Sequence, residues 1–115
     1  MSSEAKQFYE TWAARMSHAK ASAPEAARGF GTLFQSTMKE GTLGVREKEL
    51  IALGIGIALR CDGCMYAHVQ KALQSGANRQ QIMEAASVAV MMQGGPAYTY
   101  LPKVVEALDA LEEAQ

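Results

Sequence analysis

The feature that most constrains this chain is the apolar run from Leu50 to Leu59, which has no polar face. A helix made from it is apolar on every side, so it must be enclosed all round and stand at the centre of the fold. Gly54 and Gly56 interrupt the run. Each costs about 1 kcal/mol in helix propensity and leaves room for a neighbouring helix to come close. The run is about half the roughly 20 residues needed to cross a bilayer, so no membrane helix is expected. After Arg60 comes Cys61-Asp62-Gly63-Cys64-Met65-Tyr66-Ala67-His68, which holds both cysteines and one of the two histidines.

The rest of the chain is read around that centre. Phe8, Trp12, Ala13 and Met16 recur at helical spacing within residues 2–18, and His18 falls near that helix's end as a solvated C-terminal cap. Pro24 opens a second helix over about 24–40, with Ala27, Phe30, Leu33, Phe34 and Met38 on one face; Trp12 and these phenylalanines are expected in the core. Gly44 caps the apolar helix over about 45–60, whose first turn holds Glu47 and Glu49, both favoured there by the helix dipole. These two point roughly 160° apart and are not interchangeable.

A fourth helix over about 62–75 ends at Gly76, and a turn at Ala77 or Asn78 leads to a fifth over about 79–93, apolar around most of its circumference. Gln93-Gly94-Gly95-Pro96 breaks it. A last helix over about 97–113 turns Val104, Val105, Leu108 and Leu111 inward, with Pro102 either starting or kinking it. No strand-period alternation occurs, so the expectation is an all-α domain of about six helices spanning 1–115. Two largely apolar helices are hard to enclose in 115 residues. Part of the apolar surface is therefore expected to meet another copy of the chain.

Charge narrows the function. A net charge of -1, with acidic and basic residues interspersed, gives none of the basic footprint that nucleic-acid binding needs. The N-terminus lacks a basic segment followed by an apolar one, which predicts a cytoplasmic protein. In a reducing compartment two cysteines at this spacing are better suited to catalysis or metal than to a structural staple.

Two thiols separated by two residues can close a disulfide through a tight local loop. A thiol reacts as its thiolate, and with a free pKa near 8.5 it needs a partner to stabilise that charge or accept the proton. Cys61 stands at the start of the fourth helix and gains from its positive end. His68 follows Cys64 by one helical turn on the same face. These residues leave three readings open: a redox dithiol, a metal site one ligand short unless Glu49 or a second chain completes it, and two inert buried cysteines. Spacing, compartment and the nearby histidine favour the first. They do not decide which thiol attacks. Tyr66, Tyr98 and Tyr100 could line an entrance, although packing is their default role.

Glu49, Cys61, Cys64 and His68 at these spacings resemble the signature of the carboxymuconolactone decarboxylase superfamily, in its alkylhydroperoxidase D-like branch. The segment from Arg46 to Leu53, the small-residue helix and Gly94-Gly95-Pro96 extend the resemblance over about 25–112. It implies a helical subunit that assembles, as a hexamer rather than the trimer of longer two-repeat members. It also implies that Cys64 attacks a hydroperoxide and becomes a sulfenic acid, that Cys61 resolves it to a Cys61–Cys64 disulfide, and that Glu49 and His68 relay protons. A thiol or protein donor would supply electrons, with no cofactor and no metal.

Two points complicate the match. Well-known peroxidases of the group often carry a histidine directly before the second cysteine, where this chain has Gly63. That points to a slower peroxidase or to a thiol-disulfide oxidoreductase with a non-peroxide substrate, while the cysteine pair argues against lactone decarboxylation. A reversal at Cys61 also puts Glu49 about 18 Å back along its helix and His68 about 10 Å forward. Water, bending or a long side chain would have to close that offset.

Overall fold

The computed structural model describes residues 3–114, which form helices and turns with no strand among them. Ser3 caps α1 (Glu4–Ser22), its Oγ accepting from the Lys6 amide at 3.1 Å. α1 runs a turn beyond the expected end. His18 is therefore an exposed residue inside the helix rather than its cap.

α2 (Pro24–Met38) has its proline in the first turn, as predicted. Lys48 closes its far end by donating to the carbonyls of Thr37 (2.8 Å) and Lys39 (2.7 Å). α2 has no fully buried residue, and Phe30 and Leu33 are exposed. The expectation that this face lies in the core is wrong for the single chain: α2 touches the rest mainly along its flanks with α1 and α3.

α3 (Val45–Ala58) starts at Gly44 and packs against both α4 (Asp62–Gln74) and α5 (Arg79–Gln93). Leu53 and Ile57 are fully buried with Met65 and Val69 of α4 and Ile82 and Ala86 of α5. The helix is not enclosed all round, as had been expected. Ile51, Ile55 and Leu59, at i, i+4 and i+8, form an exposed stripe, and Val88, Met91 and Met92 of α5 are exposed as well. A chain of this length has too few neighbouring helices to cover every side of α3.

α5 opens with a capping box: the Asn78 side chain accepts from the Gln81 amide at 2.8 Å, and Gln81 accepts from the Asn78 amide at 3.0 Å. The expected last helix is two, α6 (Gly95–Tyr98) and α7 (Leu101–Glu113), separated at Thr99 and Tyr100. Pro102 lies in the first turn of α7, so it starts that helix rather than kinking it. Val104 and Leu108 seal the core from this side, and Ala5 of α1 joins them. No described helix is long and apolar enough to cross a membrane.

Candidate functional site: a cysteine pair and a buried carboxylate–imidazole contact

The reversal between α3 and α4 takes three residues. Arg60 donates to the Ile57 carbonyl and Cys61 to the Gly56 carbonyl, each at 2.9 Å. This is the Schellman arrangement, which needs its turning residue in the left-handed region, and Arg60 has φ +55°. A glycine usually fills that position; an arginine there gives no stop signal, which is why the sequence reading ran the helix to residue 60. Cys61 thus belongs to two motifs, as the residue that completes the end of α3 and the N-cap of α4.

As N-cap, the Cys61 sulfur accepts a hydrogen bond from the Cys64 amide at 3.1 Å. A side-chain sulfur stabilised by an amide at a helix N-terminus is the setting that favours a thiolate in the reduced pair. The two cysteines are joined in a disulfide with their Cα atoms 5.2 Å apart, inside the ordinary range for such a bond. Both are partly accessible.

Gly56 of α3 faces Cys64. A Cβ built on Gly56 would lie 3.1 Å from the Cys64 Cβ, so the predicted close approach is real and occurs at the cysteine. Gly54 instead faces α5, where a Cβ would meet the Ala85 carbonyl oxygen at an ordinary 3.8 Å. Glu49 lies seven residues before Gly56 on the same face of α3, and His68 lies four residues after Cys64 on α4. Measured from the Gly56–Cys64 crossing, the axial mismatch is about 4 to 5 Å rather than the 8 Å obtained by counting from Cys61.

The two side chains span that mismatch directly. Glu49 Oε1 is 2.6 Å from His68 Nδ1, with the carboxylate 4% exposed and the imidazole 16%. The expected need for water or helix bending is removed. A buried carboxylate must be hydrogen-bonded to be tolerated, and His68 supplies that partner. With Glu49 ionised, Nδ1 carries the hydrogen and Nε2 of the neutral ring is left as the acceptor. Glu47, by contrast, is a surface residue paired with Arg46 at 2.9 Å.

Several neighbours escaped the sequence reading. Phe34 lies nearly parallel to the His68 ring, with centroids 6.3 Å apart, and Lys71 Nζ sits 4.9 Å from the Phe34 centroid. Helical spacing alone places Phe34 in a generic core; its stacking against His68 depends on the placement of α2 beside α4. Tyr100 and Lys103, at the start of α7, reach the cysteine loop through Asp62. The Tyr100 hydrogen bond holds the Asp62 carboxyl below the usual carboxylate range, with Lys103 adding to the effect. Tyr66, offered as an entrance residue, is buried instead; burial pushes its phenol up, and its hydroxyl has no partner among the described residues.

A groove of about 630 Å³ lies between α1 and α4, lined in part by Phe8, Trp12, Asp62 and Gly63. A Cβ built at Gly63 would meet nothing within 4 Å. Among the described residues no group of three or more histidines, cysteines or acids is arranged to hold a metal ion.

On this all-α scaffold a disulfide-bonded cysteine pair at the N-terminus of α4 stands one turn from a buried contact between an acid of α3 and an imidazole of α4. The profile of the carboxymuconolactone decarboxylase family matches residues 24–113, and the chain belongs to that family. It is 37% identical over 85 residues to an uncharacterised protein of the cox locus of Paracoccus denitrificans, covering 74% of this chain and 77% of that one. A carboxymuconolactone decarboxylase family protein of Legionella pneumophila superposes with a TM-score of 0.82 at 33% identity, covering 97% of both chains. Another family member, from Thermotoga maritima, for which a part in the antioxidative response has been suggested, gives a TM-score of 0.72 at 31% identity over 77% of this chain and 92% of its own.

Proposed function

We propose that this protein is a dithiol oxidoreductase that reduces hydroperoxides through Cys61 and Cys64. The observation that carries the reading is the junction of the Cys61–Cys64 disulfide, at the N-terminus of α4, with the 2.6 Å Glu49–His68 contact one turn further along. In the reduced protein the Cys64 thiolate attacks one peroxide oxygen and the O–O bond breaks. The alcohol leaves after gaining a proton, and Cys64 becomes a sulfenic acid. The Cys61 thiolate then displaces the hydroxyl as water and forms the disulfide. A thiol donor returns two electrons and two protons to restore the dithiol. His68 Nε2 accepts the Cys64 proton and passes it to the departing oxygen, while Glu49 fixes the ring and balances the imidazolium charge.

A second reading is favoured by one position. Position 63, where peroxidases of the branch often carry a histidine, is glycine here, so that position supplies no imidazole beside Cys64. That supports thiol-disulfide exchange with a non-peroxide substrate, which needs the same cysteines and less proton transfer. In either reading the protein works as a homo-oligomer, a hexamer in preference to a trimer, in the cytoplasm, where thiol donors are abundant.

The test is peroxide treatment of the reduced protein followed by mass spectrometry. The expected result is loss of two hydrogens at Cys61 and Cys64, reversed by a dithiol, with a trappable sulfenic acid on Cys64 in Cys61→Ser and none on Cys61 in Cys64→Ser. Glu49→Gln and His68→Ala each slow the reaction by about 100-fold if they move the proton. Cysteines that stay alkylatable in excess peroxide sink the peroxidase reading, and rapid oxidation by small disulfides in the same sample selects the second.

A further inference from the structure

Cys61 is the last residue of the three-residue link between α3 and α4, so the backbone on either side fixes where its sulfur lies. One side chain touches both flanks. The Tyr100 hydroxyl, from the start of α7, donates to the Arg60 carbonyl at 2.9 Å and to the Asp62 Oδ1 at 2.6 Å. One hydroxyl hydrogen shared between two acceptors places the oxygen between residues 60 and 62. Lys103, one turn along α7, holds the other oxygen of Asp62 at 3.3 Å and is tied to Glu4 of α1.

The flanks need such a hold. Arg60 keeps its left-handed conformation without being glycine, which costs about 1 kcal/mol or more and persists only where surrounding structure imposes it. The hydrogen bonds from Tyr100 go to the residues beside Cys61 and not to a sulfur, so its role is positioning and not chemistry.

We infer that Tyr100 is a positioning residue that clamps residues 60 and 62 and thereby sets the effective concentration of the Cys61 thiol toward Cys64, and with it the reduction potential of the pair. This deepens the dithiol reading and rests on it. With the clamp in place the two sulfurs are held in bonding geometry. Without the hydroxyl the link relaxes, the thiols meet less often and the disulfide is easier to reduce. The exchange that measures this is balanced: two glutathione thiols become one glutathione disulfide as the Cys61–Cys64 bond accepts two electrons and two protons.

The experiment equilibrates the full-length protein in glutathione buffers of graded ratio, quenches by alkylation and counts reduced and oxidised pairs by mass spectrometry. Tyr100→Phe is expected to weaken the disulfide about tenfold, or about 30 mV toward a more oxidising couple, as fits the loss of one hydrogen bond to a charged group. Asp62→Ala, which removes the other half of the contact, should shift the same way by at least about threefold, and the double variant by less than the sum of the two. Tyr9→Phe is the control, because its hydroxyl donates to the Tyr66 carbonyl at 2.6 Å, away from the flanks of Cys61; it should leave the equilibrium within about twofold of the parent.

A folded Tyr100→Phe protein with an unshifted equilibrium overturns the clamp, as does an equal shift from Tyr9→Phe. If Tyr100→Phe does not fold, an unshifted Asp62→Ala overturns it instead. A parent pair that stays reduced across the whole buffer range overturns the dithiol reading itself, and the clamp with it.

Discussion

Replacing Gly56 with alanine adds one carbon where α3 meets Cys64, and the outcome depends on two opposed terms. Alanine is the better helix former by about 1 kcal/mol. The new Cβ, however, would stand 3.1 Å from the Cys64 Cβ and 3.5 Å from the Met65 amide nitrogen, against an optimum near 3.5 to 4.0 Å for carbon pairs. The crowded atom cannot swing aside: it is one bond from a helical backbone, and its sulfur is tied to Cys61. Overpacking of this kind costs about 1–3 kcal/mol. The net is a loss of about 1 kcal/mol, or a fall in Tm of about 4 °C for a chain of this size.

Gly54→Ala is the matched comparison. Its Cβ meets only the Ala85 carbonyl oxygen at 3.8 Å, so the propensity gain dominates and the variant should be more stable than the parent by about 0.5–1 kcal/mol. Two glycines separated by one residue are thus expected to respond with opposite signs. Urea and thermal unfolding of the oxidised proteins, at one protein concentration so that any assembly equilibrium is held constant, measure the difference. Equal signs at the two positions, or a Gly56→Ala protein at least as stable as the parent, refute the reasoning.

Two further outcomes follow from the same structure. Asp62 titrates below its ordinary value because Tyr100 and Lys103 favour its charged form; a depressed folded-state pKa contributes stability that is fully present above the unfolded value near 4 and is lost as pH falls through the folded one. The stability difference between the parent and Asp62→Asn should therefore be constant above about pH 5 and shrink in acid, and a pH-independent difference in urea titrations would exclude the contact as its source. The stripe of Ile51, Ile55 and Leu59 is exposed in the single chain, so light scattering should find an assembly that Ile55→Glu weakens or dissociates; a monomer-sized parent particle would rule out the oligomer.

Much of the helical plan was legible because its signals are local. Pro24, Gly44 and Gln93-Gly94-Gly95-Pro96 mark helix ends through backbone geometry or lost amides, and Asn78 does so through its capping side chain. The cysteine pair and His68 lie on one short helix, so their shared face follows from the helical period alone. Errors arose where local signals were silent or shared. Arg60 turns the chain without glycine, and Pro102, equally compatible with a kink in one long helix, opens a separate helix after Thr99 and Tyr100. Phe30 and Leu33 follow the same spacing as buried residues and yet are exposed.

The candidate site shows the division most clearly. The identities and spacing of Cys61, Cys64 and His68 single those three out, the family resemblance adds Glu49, and Gly56 announces that some helix comes close. Which helix, and at which residue, depended on the rotation and offset of α3 against α4, which are set by the packing of Leu53, Ile57, Met65 and Val69. That packing turns an apparent 8 Å offset into a 2.6 Å contact between Glu49 and His68. The packing of α7 on α4 and α1 likewise brings Tyr100 across about 40 residues of chain to the flanks of Cys61. Helical periodicity orders residues along one element; only the meeting of side chains from separate elements decides which groups share a site and which apolar faces are left uncovered.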